Sequence, residues 1–313
     1  GLASADYCYQ KIDDQLYIVY SSRADVPNYD ISVVKYESIP KCFGLMGAAD
    51  KVSKPCSEHF TVDFDKEMKE IEQAQINGGG GFDYKPLIES GIIETNNPPL
   101  SLTGQKVIMA FIDTGIDIFD EEFRFSNGDT RILRLWDMTD NTGKPPEGIL
   151  YGSEYMQEDI NRVLRGNQLE DGIGTEENES GRSEMIGIGE RSGIAEITGI
   201  GEIIGSRIGR DDIGHGNILS AIAAGNSGAA PEAHIVVVKL KTAKKYLRDY
   251  FFVPDNVPAF QENDIMLAVN YVRNIALSMD MPISLCMTLG TNGRSHDGAS
   301  ALSYILDRFA SGV

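Results

Sequence analysis

Two residues of this chain have the type and setting that general-base chemistry needs. Asp113 follows the apolar run 107–112 directly, within Phe111-Ile-Asp-Thr-Gly-Ile-Asp117. An acid at the carboxyl end of a buried parallel strand lies where α/β sheets build their sites. His215 lies in Asp211-Asp-Ile-Gly-His-Gly-Asn-Ile-Leu-Ser-Ala-Ile-Ala-Ala-Gly225, where it opens an apolar stretch between two glycines. Those glycines let other backbone come close to the imidazole. A helix N-terminus favours the neutral ring, the form a base requires. Taken singly, Asp113 reads more simply as a turn cap and His215 as a structural histidine. Taken together they are the two halves of an oriented base, the acid fixing the ring tautomer and stabilising the imidazolium. Their side chains are therefore expected within hydrogen-bond reach of each other.

The elements that must hold them alternate strand and helix from about residue 100 onward, the pattern of a parallel α/β sheet with helices on both faces. The runs 107–112, 235–240 and 283–289 read as strands, the first with no polar interruption, as a strand covered on both faces requires. Residues 216–224 read as an apolar helix ending at Gly225-Asn226. Residues 264–278 form a second helix, with Ile265, Ala268, Val269, Val272 and Ile275 on one face and Asn263 as its cap. Before this region lie strand-like runs at 16–20 and 31–34, a charged helical stretch near 65–75, and the linker Asn77-Gly-Gly-Gly-Gly81. The chain thus divides into a small α+β region, 1–85, and an α/β region, 86–313.

The segment 168–210 departs from this pattern. Glu184, Glu190, Glu196 and Glu202 recur every six residues, as do Gly187, Gly193, Gly199 and Gly205. A left-handed β-helix needs three such units per coil, so about four copies bury no core. The repeat reads as a surface insertion outside the sheet. Gly187-x-Gly189 lacks both the third glycine and the βαβ setting of a nucleotide loop.

The net charge of −19 opposes association with nucleic acid or anionic lipid. No apolar run approaches the roughly 20 residues that cross a bilayer. No basic region followed by an apolar stretch marks a signal peptide at the start. The four cysteines, Cys8, Cys42, Cys56 and Cys286, show no metal-ligand spacing. Cys286 lies in an apolar run and reads as a buried thiol, and one disulfide among the other three stays open.

Ala110-Phe-Ile-Asp-Thr-Gly-Ile-Asp117 resembles the catalytic-Asp motif of the subtilisin family, and Gly214-His-Gly-Asn-Ile-Leu-Ser-Ala-Ile-Ala-Ala-Gly225 its catalytic-His motif. The family usually carries Thr after His-Gly; here the residue is Asn217. The order Asp, His, Ser is that of subtilisin. The chain is more closely similar to clostridial germination-specific (Csp-type) subtilases, through Thr130-Arg-Ile-Leu-Arg-Leu-Trp-Asp137, Pro145-Pro-Glu-Gly148, Tyr151-Gly-Ser-Glu-Tyr155 and Gly290-Thr-Asn-Gly-Arg-Ser-His-Asp-Gly298. The resemblance spans about 100–313. It implies a subtilisin-like sheet, a propeptide at 1–85, and a serine endopeptidase acting on protein or peptide substrates, spore-associated or extracellular. It implies no cofactor and leaves calcium open. Thr288-Leu-Gly290 stands where the family's substrate-pairing strand lies, which recognises extended peptides through main-chain hydrogen bonds.

Two further parts of such a site are not found after Gly290: an Asn aimed at the oxyanion, and a serine in Gly-Thr-Ser. Asn226 falls at the wrong end of the His helix. Ser300 follows Gly290 too closely to leave room for another strand and the oxyanion loop. His59 and His296 read as structural or exposed. The serine is therefore expected beyond Val313, and residues 1–313 alone are expected to lack peptidase activity. The sheet's apolar surface around 235–240 and 283–289 is then expected to be partly uncovered. The alternative is a pseudoprotease that keeps the fold as a binding or signalling module. An aspartic protease, suggested by Asp113-Thr-Gly115, would need a second Asp-Thr-Gly on an all-β frame. The nearest match, Asn141-Thr-Gly143, lacks the acid.

Overall fold

The computed structural model describes residues 8–11, 16–20, 33–35, 59–61, 85–171, 208–290, 297, 298 and 300–311. The first strands, β1 (Cys8–Lys11), β2 (Leu16–Tyr20) and β3 (Val33–Lys35), form an antiparallel sheet in the order β1-β2-β3. Strand β4 (His59–Thr61) pairs antiparallel with β9 (Ala259–Gln261) much later in the chain. Two short helices, α1 (Lys85–Glu89) and α2 (Ile92–Thr95), lead into the α/β region.

That region is built on β5 (Ile108–Asp113), β6 (Ile132–Asp137), β7 (Ser153–Met156), β8 (His234–Lys239) and β10 (Ile283–Cys286). They lie in the order β10-β5-β8-β6-β7, parallel except for β7, which runs antiparallel to β6. Side chains alternate between the faces of a strand. In β5, Ile108, Ala110 and Ile112 accordingly enter one core, with Val236 and Val238, while Phe111 enters the other with Ile235 and Val237.

Helix α6 (Glu262–Met279) covers the first face. Its stripe of Ile265, Ala268, Val269, Val272 and Ile275 is buried, as the helical spacing requires. Burial of each of the larger side chains is worth about 1.5–3 kcal/mol. Ile18 and Tyr20 of β2 join the same core from the N-terminal sheet. The second face is covered by α3 (Gln157–Asp171), through Ile160 and Leu164, and by α4 (His215–Ala224), through Ala221 and Ala224. The remaining helices are α5 (Lys245–Tyr250) and α7 (Ala301–Ala310).

The α/β class and the helices on both faces agree with the sequence reading, and several details change it. Asn263 does not cap α6, since Gln261 holds the N-cap position and Asn263 is a fully buried residue inside the first turn. Residues 235–238 are completely buried because β8 runs through the middle of the sheet, so no apolar surface is uncovered there. Strand β10 lies at the edge and is half-buried. At the two ends of the segment 168–210, α3 continues to Asp171 and Ile208 belongs to the core. Strand β3 begins at Val33, and residues 31 and 32 fall outside the described set. The stretch near 65–75, the glycine linker, the body of the repeat and His296 also lie outside it.

Candidate active site

The carboxyl ends of three neighbouring strands carry Asp113, Lys239 and Asp137 in register. Asp113 ends β5 and is buried. Its Oδ1 lies 2.7 Å from Nδ1 of His215, the first residue of α4, although 102 positions separate them in the chain. His215 is buried as well. Poor solvation strengthens a charge-assisted contact between them. Asp113 Oδ1 also accepts from the Thr114 amide at 2.7 Å, and Oδ2 from the Thr288 hydroxyl at 3.1 Å. The carboxylate is thereby held at both oxygens.

Glycines bring the two segments this close. A Cβ on Gly216 would stand 2.4 Å from the Gly115 carbonyl oxygen, and one on Gly115 would stand 2.4 Å from that of Gly209. Gly115 has φ 137° and Gly214, the N-cap of α4, has φ 91°, both conformations that favour glycine. The contact is tied further by the Gly216 amide, which donates to Thr114 Oγ1 at 2.9 Å, and by Ile116 N donating to Gly209 O at 2.8 Å.

The return of the chain at 208–211 is anchored by the other two residues of the strand-end row. The buried carboxylate of Asp137 accepts from Gly209 N at 3.2 Å and from Thr139 N and Oγ1 at 2.8 and 2.6 Å. Lys239 Nζ donates to Arg210 O at 2.6 Å. Asp211 Oδ1 accepts from Ile213 N and Gly214 N at 3.1 and 2.8 Å, while Oδ2 accepts from Asn217 N at 2.9 Å. Amides at the start of α4 that have no partner within the helix are satisfied in this way.

The structure thus brings together Asp113, His215 and Thr288. Leu289 and Gly290 follow β10 on the same stretch, Leu289 half-buried and Gly290 exposed. Ser300 is elsewhere engaged: its Oγ caps α7 by accepting from Ser303 N at 3.0 Å and lies 2.8 Å from Ser303 Oγ. Asn226, at the far end of α4, donates to the carbonyls of Glu121 and Arg124. Cys286 is half-buried rather than buried. Its thiol is pushed up by burial and then by the Asp113 carboxylate, so it stays protonated near neutral pH.

Thr114, Asp211 and the side chain of Thr288 were not singled out by sequence reasoning. An acid a few residues ahead of a helix start was the available signal for Asp211. The two threonines carry none, because their partners are distant in the chain.

No protein-family model matches the sequence, and no curated protein is similar to it. Among solved structures the chain is similar to the Clostridium perfringens CspB protease, with 21% identity and a TM-score of 0.49. That alignment covers 72% of this chain and 38% of the other, so the present chain spans well under half of that protein's length.

Proposed function

We propose that this chain carries the acid–base arm of a subtilisin-class serine endopeptidase. The observation that carries the reading is the 2.7 Å contact between Asp113 Oδ1 and His215 Nδ1 at the carboxyl end of the sheet. With Nδ1 directed at Asp113, the reading gives proton transfer to the other ring nitrogen, Nε2. In this reading Nε2 takes the proton from a serine hydroxyl as it attacks a peptide carbonyl, and later gives it to the leaving amine. Asp113 holds the tautomer and stabilises the imidazolium, itself remaining ionised. Residues 288–290 offer main chain to an extended peptide, a role supported by the exposure of Thr288 and Gly290 beside Asp113. The N-terminal region serves as a propeptide-like cover, supported by the seating of Ile18 and Tyr20 against the core under α6.

The sequence contains no Gly-Thr-Ser, so we place the nucleophile in sequence beyond Val313. That same absence, with Ser300 committed to a helix cap, is what favours the pseudoprotease reading instead. A serine-reactive phosphonate separates the two. The chain extended into its natural downstream sequence should be labelled, and His215→Ala should abolish the labelling, because the hydroxyl loses its base. Residues 1–313 alone should stay unlabelled. An extended protein that does not react points to the pseudoprotease. Labelling of 1–313 that is lost in Ser300→Ala would move the nucleophile to Ser300.

A further inference from the structure

We infer that Asn217 is the positioning residue that fixes how His215 is presented to Asp113, an inference that rests on the acid–base reading of that pair. The first turn of α4 is held to residues 113–120 at three successive positions. His215 meets Asp113, the Gly216 amide meets the Thr114 hydroxyl, and Asn217 meets both Asp117 and Asp120. Asn217 Oδ1 accepts from Asp117 N at 2.9 Å, and its Nδ2 donates to Asp120 Oδ2 at 3.2 Å. Its own amide donates to Asp211 Oδ2 at 2.9 Å, which ties in the segment entering the helix.

A helix advances about 100° per residue, so Asn217 lies about 200° around the axis from His215. The turn is therefore gripped from two sides by one segment. A rotation of α4 that swung the imidazole off Asp113 would break both side-chain bonds of Asn217. The anchor is itself fixed. Asp120 Oδ1 accepts from Glu122 N at 3.0 Å, and Asp117 Oδ1 from Phe119 N at 2.9 Å. An amide suits the place because it accepts and donates at once. A carboxylate there would have no donor and would face Asp120 with like charge. Threonine is too short to span both partners. Asn217 is half-buried, so water competes only in part for these bonds.

The test is proton NMR of the 313-residue chain, with the Nδ1 proton of His215 assigned by its loss in His215→Gln. The wild type should show a downfield Nδ1 proton held by Asp113. In Asn217→Ala and Asn217→Asp this resonance should move upfield and exchange with solvent about tenfold faster, roughly the weight of one hydrogen bond. Asp120→Ala cuts the same link from the other side and should act in the same direction. It keeps the test open should a change at Asn217 prevent folding. A purely stabilising role would lower the melting temperature of these variants and leave the resonance in place. A wild-type resonance that none of the three variants moves overturns the inference and leaves the Asp113–His215 pair standing. A wild type with no such resonance removes the pair and the inference together.

Discussion

At the scale of the residue, burial decides what each ionisable group can do, and His234 gives a clean measure of it. This histidine opens β8 at the end of the sheet opposite Asp113, edge-on to Phe125 at 6.4 Å between ring centroids. Burial, and then the charge of Arg131, hold its imidazole below the ordinary value of 6.5. Between the lowered value and 6.5 the unfolded chain binds a proton that the folded chain does not, so stability rises with pH through that window and falls as pH drops. The urea midpoint should therefore decline between about pH 7 and pH 5, and His234→Gln should decline less. Equal declines would show that His234 is not strained by its surroundings. Asp113 and His215 were legible because residue type, a preceding apolar run and flanking glycines all lie within a few positions. Thr114, Asn217 and Thr288 were not legible as supports, since the partners they bond are about a hundred or more positions away.

At the scale of the element, α4 must keep its start at Asp113, and its far end is pinned by Arg131. This buried guanidinium donates to Ala233 O at 3.0 Å, to Glu122 O at 2.6 Å and to Ala224 O, the last residue of α4. A cation at a helix C-terminus also meets the negative end of the helix dipole. Burial draws Arg131 down to about 10, which still leaves it charged at neutral pH. Arg131→Met should cost about 3 kcal/mol in urea unfolding, because it strands buried carbonyls. A change within about 0.5 kcal/mol, the range of an ordinary surface substitution, would contradict that role. Strands and helices themselves were visible through their periods of 2 and 3.6. Their ends were less so. The apolar run 283–289 yields a strand only to Cys286, after which Thr288 turns its hydroxyl to Asp113. Helix α6 starts at Glu262, two residues before the sequence suggests, because burial inside the first turn accommodates polar residues that read as a cap.

At the scale of the whole molecule, the order β10-β5-β8-β6-β7 puts the strand bearing Asp113 between β8 and the edge strand β10. Helix α4 can then bring His215 to that strand end. None of this order is written locally, because parallel strands are joined by crossovers and neighbours in space are distant in sequence. The same holds for β4, whose partner β9 lies about 200 residues on, and for Tyr20, whose ring stands 5.7 Å from that of Tyr151. The arrangement is worth testing as one machine, through peptide hydrolysis by the chain joined to its downstream sequence. The account predicts turnover of a fluorogenic peptide, with kcat lower by about four orders of magnitude in Asp113→Asn, where the ring tautomer is no longer held. It predicts a loss of about six orders in His215→Ala. Hydrolysis that survives both substitutions at the wild-type rate, or its absence from the extended wild-type protein, would contradict the assignment of Asp113 and His215 as a working base.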